Sequence, residues 1–381
     1  MDRSSLLGHQ LCVPAFRGGV ISHTPAGLWK NQGRRYLTVG ERGTPPWMSW
    51  GYSMVHIDLP DTVTLAETEP SGLHRSAIPP QRGWRTDVSH ELVHRSDPRD
   101  IFPTAWCRLS DTEFSVSAQW PRPHQFFAAA SGHHQDPLLI AETMRQATMM
   151  LAHAELEVPV DDQFVMWDLA YDTVVPDFSL EAASGKVLID LTCSDVRKRG
   201  KSIAAMRVDL RFCRGGTVLA TSSGRVSCTS ARAYRRLRQD SLEMMGRPVP
   251  LSPGADPYEV GRTAESDVVL TPTPQPNRWR LRLDTTHRTL FRRPNDHVPG
   301  IVLLEAARQA AVAVAPGNAF LPTSVEIAFH KYAELDSACW VEAELMPSDD
   351  SSRTVVQVRG QQDGEPVFTS ELTHTPGDDR S

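Results

Sequence analysis

An internal repeat constrains this chain more than any other feature. The segment HHQDPLLIAETMRQATMML (133–151) aligns without gaps on DHVPGIVLLEAARQAAVAV (296–314). The offset of 163 pairs His134 with His297, Glu142 with Glu305, Arg145 with Arg308 and Gln146 with Gln309. The same offset pairs His124 with His287. Further upstream, VHR followed by DIF (93–95, 100–102) parallels VGR followed by VVL (260–262, 268–270). Duplication of one folding unit is the economical explanation, so whatever architecture one half adopts, the other must share.

Each half carries the same order of elements. A strand-like run (TEFSVSAQW, then RWRLRLD) precedes a loop and a helix, over 137–155 in the first half and 300–315 in the second. Strands follow: QFVMWDLAY, KVLIDLTCS, SIAAMRVDLRF and TVLATSSGRVSC in the first half, SVEIAFHKY, ACWVEAELM, TVVQVRGQ and PVFTSELTHT in the second. Gly215-Gly216 and Asp363-Gly364 are hairpin signals at equivalent places. Both helices are apolar on most faces, as a helix buried in a sheet must be. The pattern predicts an α+β fold in which an antiparallel sheet wraps one long central helix, twice over.

Boundaries follow from composition. Residues 1–91 include eighteen Pro or Gly and no sustained period, so they read as irregular or partly disordered. The first unit then spans 92–244, with ARAYRRLRQDSLEMM as a surface helix near its end. Pro248, Pro250 and Pro253 mark a linker over 245–259, the second unit covers 260–376, and 377–381 is a tail.

Composition excludes several classes. With 40% hydrophobic and 23% charged residues, the 381-residue chain has ample material for packed cores. No apolar run approaches the ~18 residues of a membrane span, and the start has no signal-peptide core, so no membrane partner and a cytoplasmic location are expected. The net charge of −6 gives no reason to expect nucleic acid, although residues 196–240 hold twelve Lys or Arg against Asp209 and Asp240 alone. Six widely spaced cysteines read as reduced structural thiols. Walker A, GxGxxG, HExxH and GxSxG motifs are absent, and no metal or other cofactor is implied.

PGIVLLEAARQ (299–309) resembles the central-helix signature of hotdog-fold acyl-thioester enzymes, in which Pro-Gly opens the helix and a carboxylate follows five residues after the glycine. The set WPRPH, HHQDPLLIAETMRQA, QFVMWDL and DHVPGIVLLEAARQAA is similar to the A-factor synthase family, γ-butyrolactone biosynthesis proteins with tandem hotdog domains. The resemblance covers about 93–376. It implies transfer of a β-ketoacyl group from an acyl-carrier-protein or coenzyme A thioester to dihydroxyacetone phosphate. The ester then cyclises to a butenolide phosphate on the way to a γ-butyrolactone or related furan signal that controls secondary metabolism. It also implies two halves packed as a pseudo-dimer within one chain. A hotdog thioesterase and a non-catalytic acyl- or lactone-binding regulator are the competing readings. Dehydratase chemistry is disfavoured, because Phe291 and Ala128 stand where such enzymes carry the histidine of HFPG.

Site residues follow from the helix geometry. Unpaired N–H groups at a helix start cradle a developing oxyanion, and Gly300 lets a thioester approach them. Glu305, Arg308 and Gln309 share one helix face. Glu305 is expected to act as general base and Arg308 to hold the phosphate or a charged intermediate, with Gln309 and His297 against the substrate. The competing reading is a structural Glu–Arg pair joining helix to sheet. On the catalytic reading, Glu305→Gln removes product and leaves the fold intact. In the first half, Asp136-Pro137 replaces Pro299-Gly300, which favours one main site on the second helix, with Glu142, Arg145, Gln146, His134 and Asp136 either lining it or serving structure. The basic stretch reads as a dock for an acidic carrier protein or a source of positive potential for a phosphorylated substrate, or else as solvated edge and linker.

Overall fold

The computed structural model describes residues 83–375 except 131, 133, 175–177, 179–184, 292, 319 and 351. The expected irregular segment up to residue 82, with Cys12, and the tail lie outside the described residues.

Among the described residues twelve strands and three α-helices follow in chain order. The first half comprises β1 (Pro103–Arg108), β2 (Glu113–Gln119), α1 (Leu138–Glu155), β3 (Gln163–Thr173), β4 (Lys186–Arg199), β5 (Ser202–Arg214) and β6 (Thr217–Thr229). A short helix α2 (Ala231–Leu237) leads to the second half: β7 (Leu270–Pro272), β8 (Arg278–Leu281), α3 (Gly300–Val314), β9 (Ser324–Phe329), β10 (Cys339–Met346), β11 (Thr354–Gln362) and β12 (Glu365–His374). The central helices therefore fall where the apolar runs predict. The surface helix over ARAYRRLRQDSLEMM is shorter than expected, one α-helical stretch followed by a 3-10 turn over Ser241–Met244.

All pairings are antiparallel, in the order β1-β2-β4-β5-β6-β3-β9-β12-β11-β10-β8-β7. The second half repeats the first in reverse, and five register pairs from Asp168↔Ala328 to Asp172↔Ser324 join them. Each half of the sheet packs on its own central helix, α1 against β1, β3, β5 and β6 and α3 against β7, β10, β11 and β12. Alternating burial along β4 and β5 puts Val187, Ile189, Leu191, Val208, Leu210 and Phe212 inward, and one apolar core runs through both halves. Left-handed Gly215-Gly216 and Asp363-Gly364 turn the two β-hairpins, as their sequences require.

Two features escaped the sequence pattern: the edge strands β1 and β7. Of the cysteines described, all are free thiols, and burial pushes Cys193, Cys228 and Cys339 up to about 12. Among the described residues no helix is long and apolar enough to cross a membrane.

The seat of α1 depends on a glycine. A Cβ at Gly224 of β6 would lie 2.6 Å from the Asp168 carbonyl oxygen and 2.7 Å from Met144 Cε, between the bulged strand β3 and the helix. Gly224→Ala should therefore cost about 1–3 kcal/mol, the usual penalty of overpacking a tight core, and lower the melting temperature. An unchanged melting temperature by differential scanning calorimetry would contradict this account of the helix seat.

Candidate active site

Each half builds the same buried ionic cluster on its central helix. In the second half Glu305 is 0% exposed. Arg262 donates to it from Nε at 2.7 Å and from its second terminal nitrogen at 2.5 Å, Arg308 donates at 2.8 and 2.9 Å, and Gln309 donates at 2.5 Å. In the first half Glu142 accepts from Arg95 Nε at 2.9 Å, from Arg145 at 2.8 Å and from Gln146 at 2.7 Å, and a terminal nitrogen of Arg95 pairs with it ionically at 2.6 Å. Arg95 and Arg262 were not among the expected site residues. The signal lay in VHR and VGR, whose offset of 167 rather than 163 hides them from a gapless alignment.

The other polar residues of these helices serve the backbone. Gln309 gives its second donor to the Asp267 carbonyl and accepts from Val269 N–H; Gln146 does the same with Asp100 and Phe102. Both amides are saturated, so the substrate contacts expected of Gln146 and Gln309 are replaced by pins that hold the segment before each edge strand. His124 and His287 are equivalent pins. Each ring joins an aspartate (Asp100, Asp267) at 3.0 Å through Nε2 and accepts two backbone N–H groups at Nδ1. They fix the loops whose carbonyls receive the opposite half's arginine: Arg262 donates to Phe126 O and Arg95 to Thr289 O, both at 2.7 Å.

The proton-accepting role expected of Glu305 does not suit this surrounding. Arg262 and Arg308 hold its carboxyl down at about 2 against the opposing effect of burial, and both oxygens are fully engaged. Both oxygens are taken up by guanidinium and amide donors, so the carboxylate presents no free lone pair to a substrate hydroxyl in this structure.

The two helix starts differ. At α1, Asp136 accepts from Leu138 N–H at 3.0 Å, is itself buried, and lies 3.5 and 3.6 Å from Arg262 and Arg308. Thus Asp136 ties Arg262 and Arg308 to the first half and caps its own helix start. Pro299 occupies the equivalent position at α3 and supplies no cap. There Gly300 is exposed, and among the described residues neither its N–H nor that of Ile301 has a partner. A Cβ on Gly300 would meet only Phe329, at 3.6 Å. His134 is half-buried on the loop before α1, its carbonyl accepting from Ala129.

His297 stands beside the open start. Its Nδ1 lies 2.9 Å from Asp296, which also receives Tyr234 Oη–H at 2.7 Å and Arg238 Nε–H at 2.8 Å from α2 and its C-cap. Arg238 is pinned in turn by Glu334 at 2.5 and 2.7 Å and stacks over Tyr332. Sequence reading singled out His297 but not Asp296, Tyr234 or Arg238, because α2 is far away in the chain.

Apart from Arg214, which donates to Gln135 and lies over Trp120, the basic stretch divides in two. Arg207, Arg211, Arg225 and Arg238 pair with carboxylates. Arg197, Lys198, Arg199 and Lys201 at the β4–β5 turn, with Arg232, Arg235 and Arg236 on α2, are exposed and have no ion pair among the described residues. Strand direction puts that turn, α2 and Phe329, the neighbour of Gly300, at the same end of the sheet. No three His, Cys, Asp or Glu among the described residues converge to hold a metal ion.

Glu305→Gln should leave Arg262 and Arg308 buried without the Glu305 charge and cost about 3–5 kcal/mol, so marked destabilisation is the outcome expected of this ion cluster. Acid acts on the same group. Because its folded value is depressed from 4.5, its contribution is present above about 4.5 and lost as pH falls towards about 2. Denaturant unfolding of wild type and variant across that range should converge at the acid end, and parallel curves would refute the assignment.

The A-factor biosynthesis hotdog domain matches residues 76–230 and 250–377. A 2-oxo-3-(phosphooxy)propyl 3-oxoalkanoate synthase of Streptomyces virginiae is 44% identical over 283 residues, covering 74% of this chain and 95% of the relative. One from Streptomyces coelicolor is 39% identical over 320 residues, covering 83% and 98%. One from Streptomyces griseus is 39% identical over 286 residues, covering 75% and 95%. With both duplicated halves matched, the chain belongs to the A-factor biosynthesis hotdog family.

Proposed function

We propose that this protein is an acyltransferase that condenses a β-ketoacyl thioester with dihydroxyacetone phosphate, giving the β-ketoacyl ester that cyclises to a butenolide phosphate in the biosynthesis of a γ-butyrolactone or related signal. The observation that carries this reading is the uncapped start of α3, where Gly300 is exposed and, among the described residues, neither its N–H nor that of Ile301 has a partner. Two such donors stabilise the oxyanion of a tetrahedral adduct, and the exposed glycine admits the flat thioester. The relatives' name, a phosphooxypropyl 3-oxoalkanoate synthase, describes the same ester.

In this reading the units 92–244 and 260–376, joined by the linker 245–259, work as a pseudo-dimer in one chain. Around the dyad, Pro299 occupies the place of Asp136, so we assign part-exposed Arg145, with Glu142 behind it, to the far wall of the open site as the phosphate's partner. Glu305 and Arg308 brace the sealed end. The acyl donor is an acyl-carrier-protein thioester rather than free coenzyme A thioester, because the exposed cations of α2 and the β4–β5 turn lie at the same end of the sheet as the start of α3 and suit an acidic carrier. We place the reaction in the cytoplasm.

Purified protein given a β-ketoacyl carrier-protein thioester and dihydroxyacetone phosphate should yield the ester or butenolide phosphate by mass spectrometry. Free acid alone would make the protein a thioesterase, and no turnover a binder. Gly300→Ala should keep the wild-type melting temperature, since the added methyl meets only Phe329 at ordinary contact, yet lower kcat roughly 10²-fold by obstructing the donors. A steep fall of kcat/KM with salt is expected for the carrier-protein donor and a shallow one for a small thioester; equal slopes would remove the basic surface from the reaction.

A further inference from the structure

The acyl transfer proposed above needs a group that takes the acceptor's hydroxyl proton, and neither helix carboxylate is free to do so. Glu142 and Glu305 are fully buried, each between two guanidinium groups and an amide. We propose that His297 is the general base and acid of the reaction, with Asp296 as its positioning residue.

The geometry is that of an oriented imidazole. His297 Nδ1 lies 2.9 Å from Asp296 Oδ1 and 3.3 Å from Tyr234 Oη, and its side chain is 26% exposed. Tyr332 packs edge-on against the ring, with centroids 4.7 Å apart. Asp296 cannot swing away, because Tyr234 and Arg238 hold its two oxygens and Glu334 fixes Arg238. The Val298 N–H bond to Ala333 O fixes the backbone next to His297, two residues before Gly300. A carboxylate on Nδ1 selects the tautomer whose Nε2 is an acceptor, and Nε2 has no partner among the described residues. The charged and titratable groups that face the ring are therefore Asp296 from its own segment, Tyr234 and Arg238 from α2 and its cap, and Tyr332 and Glu334 from the segment after β9. His124 and His287 are unsuited to the task, because each has both nitrogens engaged.

The step balances without a further reactant. Nε2 takes the proton of the dihydroxyacetone phosphate hydroxyl as its oxygen bonds to the thioester carbonyl carbon, and the carbonyl π electrons move to the oxygen facing the Gly300 and Ile301 N–H groups. On collapse the C–S bond breaks and the imidazolium returns the proton to the leaving thiolate, giving ester and free thiol.

This inference rests on the acyl-transfer reading, and its test separates the two. With saturating donor, His297→Ala and His297→Gln should retain the wild-type melting temperature and lower kcat 10²–10⁴-fold with little change in KM. Added imidazole should restore part of the Ala variant's rate, a result that a purely structural histidine would not give. In Asp296→Asn, the acidic limb of the kcat/KM profile should shift. Ester formation by either His297 variant at the wild-type rate, or a loss confined to KM and untouched by imidazole, would overturn the inference while leaving the reading standing. A wild-type protein that forms no ester would overturn both.

Discussion

Two carboxylates withdrawn from water hold this molecule in shape. Moving such a group inside costs several kcal/mol unless its partners arrive with it. The partners of Glu142 and Glu305 come from separate places: the next turn of the same helix, and an arginine preceding the edge strand. Each of those arginines has a further N–H that reaches a carbonyl of the opposite half. Seating a central helix, ordering its edge segment and joining the halves are thus one event, since a defect in any of them leaves a buried charge exposed to the low-dielectric interior.

The duplication, the central helices and the long strands were legible because their signals are periodic and local. Edge strands β1 and β7 were not: β7 has three residues and includes Pro272, too short for alternation to register. The ionic clusters were half legible. Glu305, Arg308 and Gln309 declare themselves by helical spacing, whereas Arg262 comes from a loop 43 residues away. Without it, Glu305 looks like an available base; with it, the carboxylate is an anchor. The same limit applies to Asp296, whose partners Tyr234 and Arg238 lie about sixty residues earlier and become neighbours only through the fold. Local charge counts also conceal direction: the cationic stretch includes arginines that face carboxylates along the sheet and others that face solvent.

Helix α2 has two faces with different work. Tyr234 and the C-cap Arg238 fasten it to Asp296 and Glu334, while Arg232, Arg235 and Arg236 point outward. Its position at the opening of α3 is set by its buried side, leaving the outer side free to vary in charge without disturbing the histidine below.

Asp136 has a consequence that concerns heredity more than mechanism. In an assembly of two identical chains, any substitution at a helix start falls on both centres at once, so one cannot be closed while the other stays open. A single gene encoding both halves removes that symmetry. An aspartate could settle at one helix start and make ionic contact with the neighbouring half, while proline and glycine stayed at the other. One helix start thereby gained an ionic tie to the other half, and the two starts no longer had to be served by one and the same residue.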